Sequence, residues 1–188
     1  TAGIINIERE AGLSGEIYDK AHLIISSILR QKYAPDFPLS ISAAICFEQS
    51  YGMIDGDSAS CAELFTLLSA IGGIPLRQDI AVTGSLNQLG MVQPVGGISE
   101  KITGFFDTCA ILGLTGTQGV MIPQGNKNNL FLPERVINAI AEKRFRIWVV
   151  SNIDEGIELL SGMNTADVTM RVSAALRDFA EKVKAFRK

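Results

Sequence analysis

Apolar residues Ile17, Ala21, Ile24, Ile25, Ile28 and Leu29 recur at the spacing of one helical face, and with Ser14 as an N-cap they predict an amphipathic helix. After the turn signal Pro35-Asp36-Phe37-Pro38 the period changes. Leu39, Ile41, Ala43, Ile45 and Phe47 alternate with Ser40, Ser42, Ala44 and Cys46, the two-residue repeat of a strand with one wetter face. From Ser58 to Ile71 the chain is apolar on most sides and stops at Gly72-Gly73, which predicts a buried helix with a polar start. Asp79–Leu86 and Met91–Val95 read as two strands joined at Asn87-Gln88-Leu89-Gly90, a hairpin. Beyond Gly96-Gly97, Ser99 is the expected N-cap of a helix whose stripe is Ile102, Phe105, Phe106, Cys109 and Leu112, stopped by Gly113. Gly119–Pro123 then reads as a strand, Pro133 opens a helix through Val136, Ile137, Ile140 and Ala141, and Phe145–Val150 is a strand.

Alternating strands and helices predict an α/β class, as an α+β mixed sheet with flanking helices in one domain. The tail from Thr165 repeats Val168, Val172, Ala175, Leu176, Phe179, Val183 and Phe186 at helical spacing. From Arg171 to Lys188 it carries six basic residues against Asp178 and Glu181. Such a helix suits an acidic partner or a membrane surface, or simply docks with a solvated outer face.

At 188 residues the chain has the length of one domain, and 47% hydrophobic with 20% charged residues exclude a mainly disordered state. A net charge of −3 offers no electrostatic footprint for nucleic acid. Cys46, Cys61 and Cys109 are an odd set without metal-ligand spacing, which predicts reduced thiols and no structural zinc. No apolar run approaches the roughly 20 residues that cross a bilayer. The start at Thr1 suggests a piece of a longer chain.

Several chemistries lack their residues. His22 is the one histidine, expected at the edge of the first helix's stripe as a surface or half-buried structural residue, so a Ser-His or Cys-His mechanism has only that side chain to use. No GxxxxGK[ST] loop or GxGxxG is present. The segment Asp55-Gly56-Asp57-Ser58-Ala59-Ser60 delivers a serine to the first turn of a buried helix, where unpaired N–H groups and the helix dipole favour an oxyanion. Ser58 there is either a nucleophile or an ordinary N-cap. Lys101 falls in the first turn of the next helix, where the dipole opposes an ammonium. It is either a general base or a surface lysine paired with Glu100. Together they compose a serine–lysine pair that needs no histidine.

These segments carry a resemblance. Phe47-Glu48-Gln49-Ser50-Tyr51 through Gly56-Asp57-Ser58-Ala59-Ser60, then Ala81-Val82-Thr83-Gly84-Ser85, then Gln93-Pro94-Val95-Gly96-Gly97-Ile98-Ser99-Glu100-Lys101 resemble the proteolytic domain of Lon proteases over about residues 14–162. Residues 1–188 are thus read as one Lon-type proteolytic domain, with an amphipathic C-terminal helix over about 165–188. Asp57 after Gly56 and Ser85 after Gly84 are closer to the LonB branch than to LonA, which has proline and glutamate there.

The resemblance implies a serine endopeptidase with Ser58 as nucleophile and Lys101 as base, and supporting roles for Asp55 in the serine loop and Thr83 near the lysine amine. It implies unfolded or misfolded polypeptides as substrates, a hexameric ring, and an AAA+ ATPase in the same parent chain. ATP and Mg²⁺ would serve that absent module, and this chain itself would bind no cofactor or metal. No specific nucleic-acid partner and no membrane segment are expected, and the expected location is cytoplasmic. A carboxylate close to Lys101 would favour the ammonium and oppose general-base action, so Asp55 or Asp57 is expected to be turned away or otherwise paired. Two other readings remain open from the residues: an assembly and substrate-binding module that is catalytically silent in isolation, and an esterase or amidase for small molecules.

Overall fold

The computed structural model describes residues 3–186. Its centre is a three-stranded parallel sheet, β3 (Ile80–Val82), β6 (Gly119–Pro123) and β7 (Arg146–Val150), with β6 in the middle. Parallel neighbours need crossover connections. These are supplied by α4 (Ile98–Leu112) between β3 and β6 and by α5 (Glu134–Ala141) between β6 and β7. The two-residue side-chain period divides β6 between two cores. Met121 joins a core built on α2 (Glu16–Ile28), α3 (Ser60–Gly72), α6 (Ile153–Ser161) and α7 (Thr165–Phe186), while Val120 and Ile122 join one built on α4 and α5. Helices thus cover both faces, which explains why all five β6 residues are buried. Gly156 of α6 lies against the Phe65 ring of α3, and a Cβ there would clash with it.

Two small sheets flank this centre. β1 (Gly3–Asn6) pairs in parallel with β2 (Ser42–Ile45), and the hairpin pairs β4 (Ser85–Leu86) with β5 (Val92–Gln93) across the expected turn. The mixed α/β class and the expected strand at 119–123 are therefore present, as is the 145–150 strand less its first residue. β1, the single turn α1 (Ile7–Glu10), α6 and a 3-10 stretch at Gln124–Asn129 had no expectation.

Four expectations need correction. The stripe of α2 runs through Tyr18, Ala21, His22, Ile25 and Ile28, leaving Ile17 54% exposed, so His22 is a core residue. The N-cap is Gly15, and Ser14 Oγ instead donates to Asp19. In α4 the N-cap is Gly97, in the left-handed region at φ +65°, while Ser99 Oγ accepts from the Phe131 N–H; Leu112 is exposed and Ile98 buried. In α7, Val168, Val172 and Leu176 dock on α3 and α6, but Phe179 and Phe186 are exposed. Arg177 stacks on Phe37 at 4.6 Å, so part of the basic face is docked within the domain. Arg187 and Lys188 lie outside the described residues.

Candidate active site

Strand β3 ends at Val82, and there the backbone changes partners. Thr83 N–H still donates to Met121 O of β6 at 3.2 Å, but Gly84 N–H donates to Ser58 O at 2.9 Å and Cys61 N–H donates back to Gly84 O at 3.1 Å. The expected single strand Asp79–Leu86 is therefore broken in two, because Thr83-Gly84 bonds the serine turn rather than continuing the ladder. Gly84 is required by space. A Cβ would sit 2.9 Å from both Cys61 Sγ and Val92 Cγ1. The Thr83 hydroxyl adds a third tie, donating to Ser58 O at 3.3 Å.

Ser58 is thereby fixed at the head of α3 without serving as its cap. The N-cap is Ala59 with no side-chain hydrogen bond, and it is Ser60, not Ser58, whose hydroxyl bonds back to Asp57 O. The Ser58 side chain is left uncommitted among the described residues, and the N–H groups of Ser58 and Ala59 find no acceptor there either. Unpaired donors beside a serine are what an oxyanion needs.

Lys101 stands in the first turn of α4, its N–H donating to Gly97 O at 3.0 Å. Ser58, Thr83 and Lys101, with Ala59, Ala81, Val82 and Val120, line one cavity of about 230 Å³ beside the end of β3. A larger cavity of about 650 Å³ beside β2 contains neither Ser58 nor Lys101. The chemistry of the lining, not the volume, makes the smaller one the candidate.

Both aspartates of the turn are hydrogen-bonded to groups other than Lys101. Asp57 Oδ2 accepts from Ser85 Oγ at 2.6 Å, and Asp55 Oδ1 accepts from the Gly56 N–H at 2.8 Å while its carboxyl lies against Gly15. Asp55 does not line the cavity, and Lys101 makes no ion pair among the described residues. The carboxylate conflict visible in the sequence is thus resolved for both residues. Asp57 and Ser85, the two departures from the LonA pattern, touch one another.

No thiol competes for the role. Burial pushes Cys61 up to about 12 and also raises Cys109, and Cys46 is raised by partial desolvation first and by Glu48 and Glu8 after it. All three are free, and among the described residues no group of three or more His, Cys, Asp or Glu is arranged to hold a metal ion.

Comparison with known proteins fits this geometry. Residues 47–161 match the Lon protease (S16) C-terminal proteolytic domain. The chain belongs to that family. It is 44% identical to the Lon protease homolog of Escherichia coli over 82% of its own length, and 41% identical to that of Haemophilus influenzae over 95%. The archaeal Lon protease of Pyrococcus abyssi is 34% identical over 79% of the chain. The chain spans 26% and 29% of the two bacterial relatives and 14% of the archaeal one. As a Lon proteolytic domain it is a serine peptidase, a hydrolase of peptide bonds.

The family match encloses Ser58, Thr83 and Lys101. Sequence reasoning quoted Ala81 and Gly84 within the Thr-Gly segment but gave neither a role, and it missed the apolar wall Val120, which carried no signal.

Proposed function

We propose that Ser58 is the nucleophile and Lys101 the general base of a peptidase module in an ATP-dependent Lon-like protease that degrades unfolded or misfolded polypeptides. The observation that carries this is the sharing of one small cavity by an uncommitted serine and an unpaired lysine, each at the start of a helix, with both nearby carboxylates held elsewhere.

In the reaction, the lone pair on neutral Lys101 Nζ takes the Ser58 Oγ proton as Oγ bonds to the scissile carbonyl carbon. The negative charge moves to the carbonyl oxygen, facing the Ser58 and Ala59 N–H groups. The C–N bond breaks, Lys101 returns the proton to the leaving amine, and an ester to Ser58 remains. Water, deprotonated by Lys101, hydrolyses it. Thr83 steadies this turn through Ser58 O, and Asp55 shapes the loop before it. An AAA+ module of the parent chain would consume ATP with Mg²⁺, feed substrate to a hexameric ring, and act in cytoplasmic quality control. This domain would need no cofactor of its own, and no specific nucleic-acid partner is assigned to it. Among the described residues no helix is long and apolar enough to cross a membrane.

The test is cleavage of an unstructured peptide by the full-length protein and its Ser58→Ala and Lys101→Ala variants over about pH 6 to 10. Both variants should lose about 10³-fold or more in kcat. Wild-type rates in either one overturn the assignment of that residue.

A further inference from the structure

The N-terminal segment meets the serine helix α3 at a patch that apolar packing does not explain. Glu8, His22 and Glu63 are each 3% exposed. Both carboxylate oxygens of Glu63, Glu8 Oε2, Tyr18 Oη, His22 Nδ1 and Asn6 Nδ2 are buried and complete no hydrogen bond among the described residues. Native proteins rarely leave one such atom unsatisfied, let alone six in one place.

The protons can be partly assigned. His22 Nε2 lies 3.2 Å from Ile4 O, and a carbonyl only accepts, so Nε2 carries a hydrogen. Glu63 is faced by Tyr18 and His22 of α2 and by Glu8 of α1; Asn6 approaches Tyr18, and the Cys46 thiol is neighboured by Glu8 and Glu48. Glu8 Oε1 accepts from the Phe47 N–H at 2.6 Å. An ionised Glu63 would be a buried charge beside a second carboxyl with neither of its own oxygens hydrogen-bonded, and a proton on Glu63 relieves this. Burial raises Glu63 in the same direction, against the opposing pull of Tyr18 and His22.

The patch also bears on the serine loop from both sides. The Glu8 carboxyl holds the Phe47 N–H, where the loop begins, and Glu63 stands in the first turn of α3, the helix that follows Ser58. Between them, Ile54 pairs with Leu13 and Gly15 at 2.8 Å.

We propose that Glu63 is a positioning residue for Ser58: buried against Glu8, Tyr18 and His22, its carboxyl carries a proton that keeps the serine turn in register, and loss of that proton at alkaline pH loosens it. This rests on the reading of Ser58 as nucleophile. The cluster then sets the descending limb of the pH profile, opposite the ascending limb of the base.

The experiment compares wild type, Glu63→Gln and Glu63→Leu in the full-length protein, with kcat and KM for an unstructured peptide at each pH, and follows the Glu63 carboxyl by ¹³C NMR. Wild type should lose kcat on the alkaline side with little change in KM, in step with the Glu63 resonance. Glu63→Gln keeps the shape and cannot ionise. At one unit above the wild-type midpoint it should retain about tenfold more of its maximal kcat than wild type does. Glu63→Leu, which keeps neither polar atom, should lower kcat at every pH. An unchanged descending limb in Glu63→Gln overturns the proposal, and so does a Glu63 carboxyl that stays ionised throughout. The NMR titration is read on wild type and does not depend on any variant folding. An active Ser58→Ala in the same assay would instead convict the nucleophile assignment, leaving the titration to report on the cluster alone.

Discussion

Replacing Gly84 by alanine tests whether the hairpin sets the position of Ser58, the proposed nucleophile. The added Cβ would lie 2.9 Å from Cys61 Sγ and 2.9 Å from Val92 Cγ1, with Pro123 Cγ at 3.6 Å. Neither close neighbour can swing aside, since Cys61 and Val92 are both buried. The strain is therefore relieved by moving backbone, and the backbone available is the pair of hydrogen bonds joining Gly84 to Ser58 and Cys61. Overpacking of this kind costs about 1–3 kcal/mol of stability. A shift of about 1 Å in a reacting group costs about 10²-fold in rate, or about 2.7 kcal/mol of barrier. The assay is kcat for an unstructured peptide together with the urea midpoint. Gly84→Ala should lose about 10²-fold in kcat, and Cys61→Ala in the same chain should restore part of it by removing one of the two obstacles. The two substitutions should be coupled by about 0.5–3 kcal/mol. Wild-type kcat and an unchanged midpoint in Gly84→Ala would refute the reasoning, because Ser58 would then be placed by something other than this contact.

Two further outcomes follow from the same contacts. Ser85→Ala frees the Asp57 carboxylate from its 2.6 Å hydrogen bond, and a loose carboxylate beside the site favours the ammonium form of a nearby lysine, so the acid-side limb of the pH–kcat profile should move up, with a few-fold loss at neutral pH. A superimposable profile would show that Asp57 is held by more than Ser85. Gly104→Ala lies in the middle of α4 with nothing within 4 Å of the new Cβ, and should stabilise the fold by about 0.5–1 kcal/mol in urea titration. A lowered midpoint would mean that this helix face is less open than it looks.

What the sequence revealed and what it hid divide along a physical line. Periodicity found β2, β6 and β7 and the helices α2 to α5 and α7, because burial of one face dictates those patterns. It failed on α1 and β1, which are too short for a period to show, on α6, which was not read although it spans nine residues, and on the two caps, where Gly15 and Gly97 displaced the more polar Ser14 and Ser99. Both displaced serines make other bonds, to Asp19 and to the Phe131 N–H, so the capping preference lost to a tertiary partner that local sequence cannot show.

The site was legible as residue types and illegible as geometry. The spacing of Asp55-Gly56-Asp57-Ser58 is equally that of a cap and of a nucleophile loop, and only the structure removes the cap, since the bonds from Thr83 and Gly84 hold Ser58 by its backbone and leave the side chain free. His22 and Glu63 show the converse. A histidine near a helical stripe and a glutamate inside an apolar run each look like a surface residue in one dimension, yet both are buried against one another's elements. A lone polar residue within an apolar helix is costly to bury. Glu63, five residues past the proposed nucleophile in the most apolar stretch of the chain, was for that reason a visible anomaly, and its explanation lay in residues 6 to 22, which no local pattern connects to it.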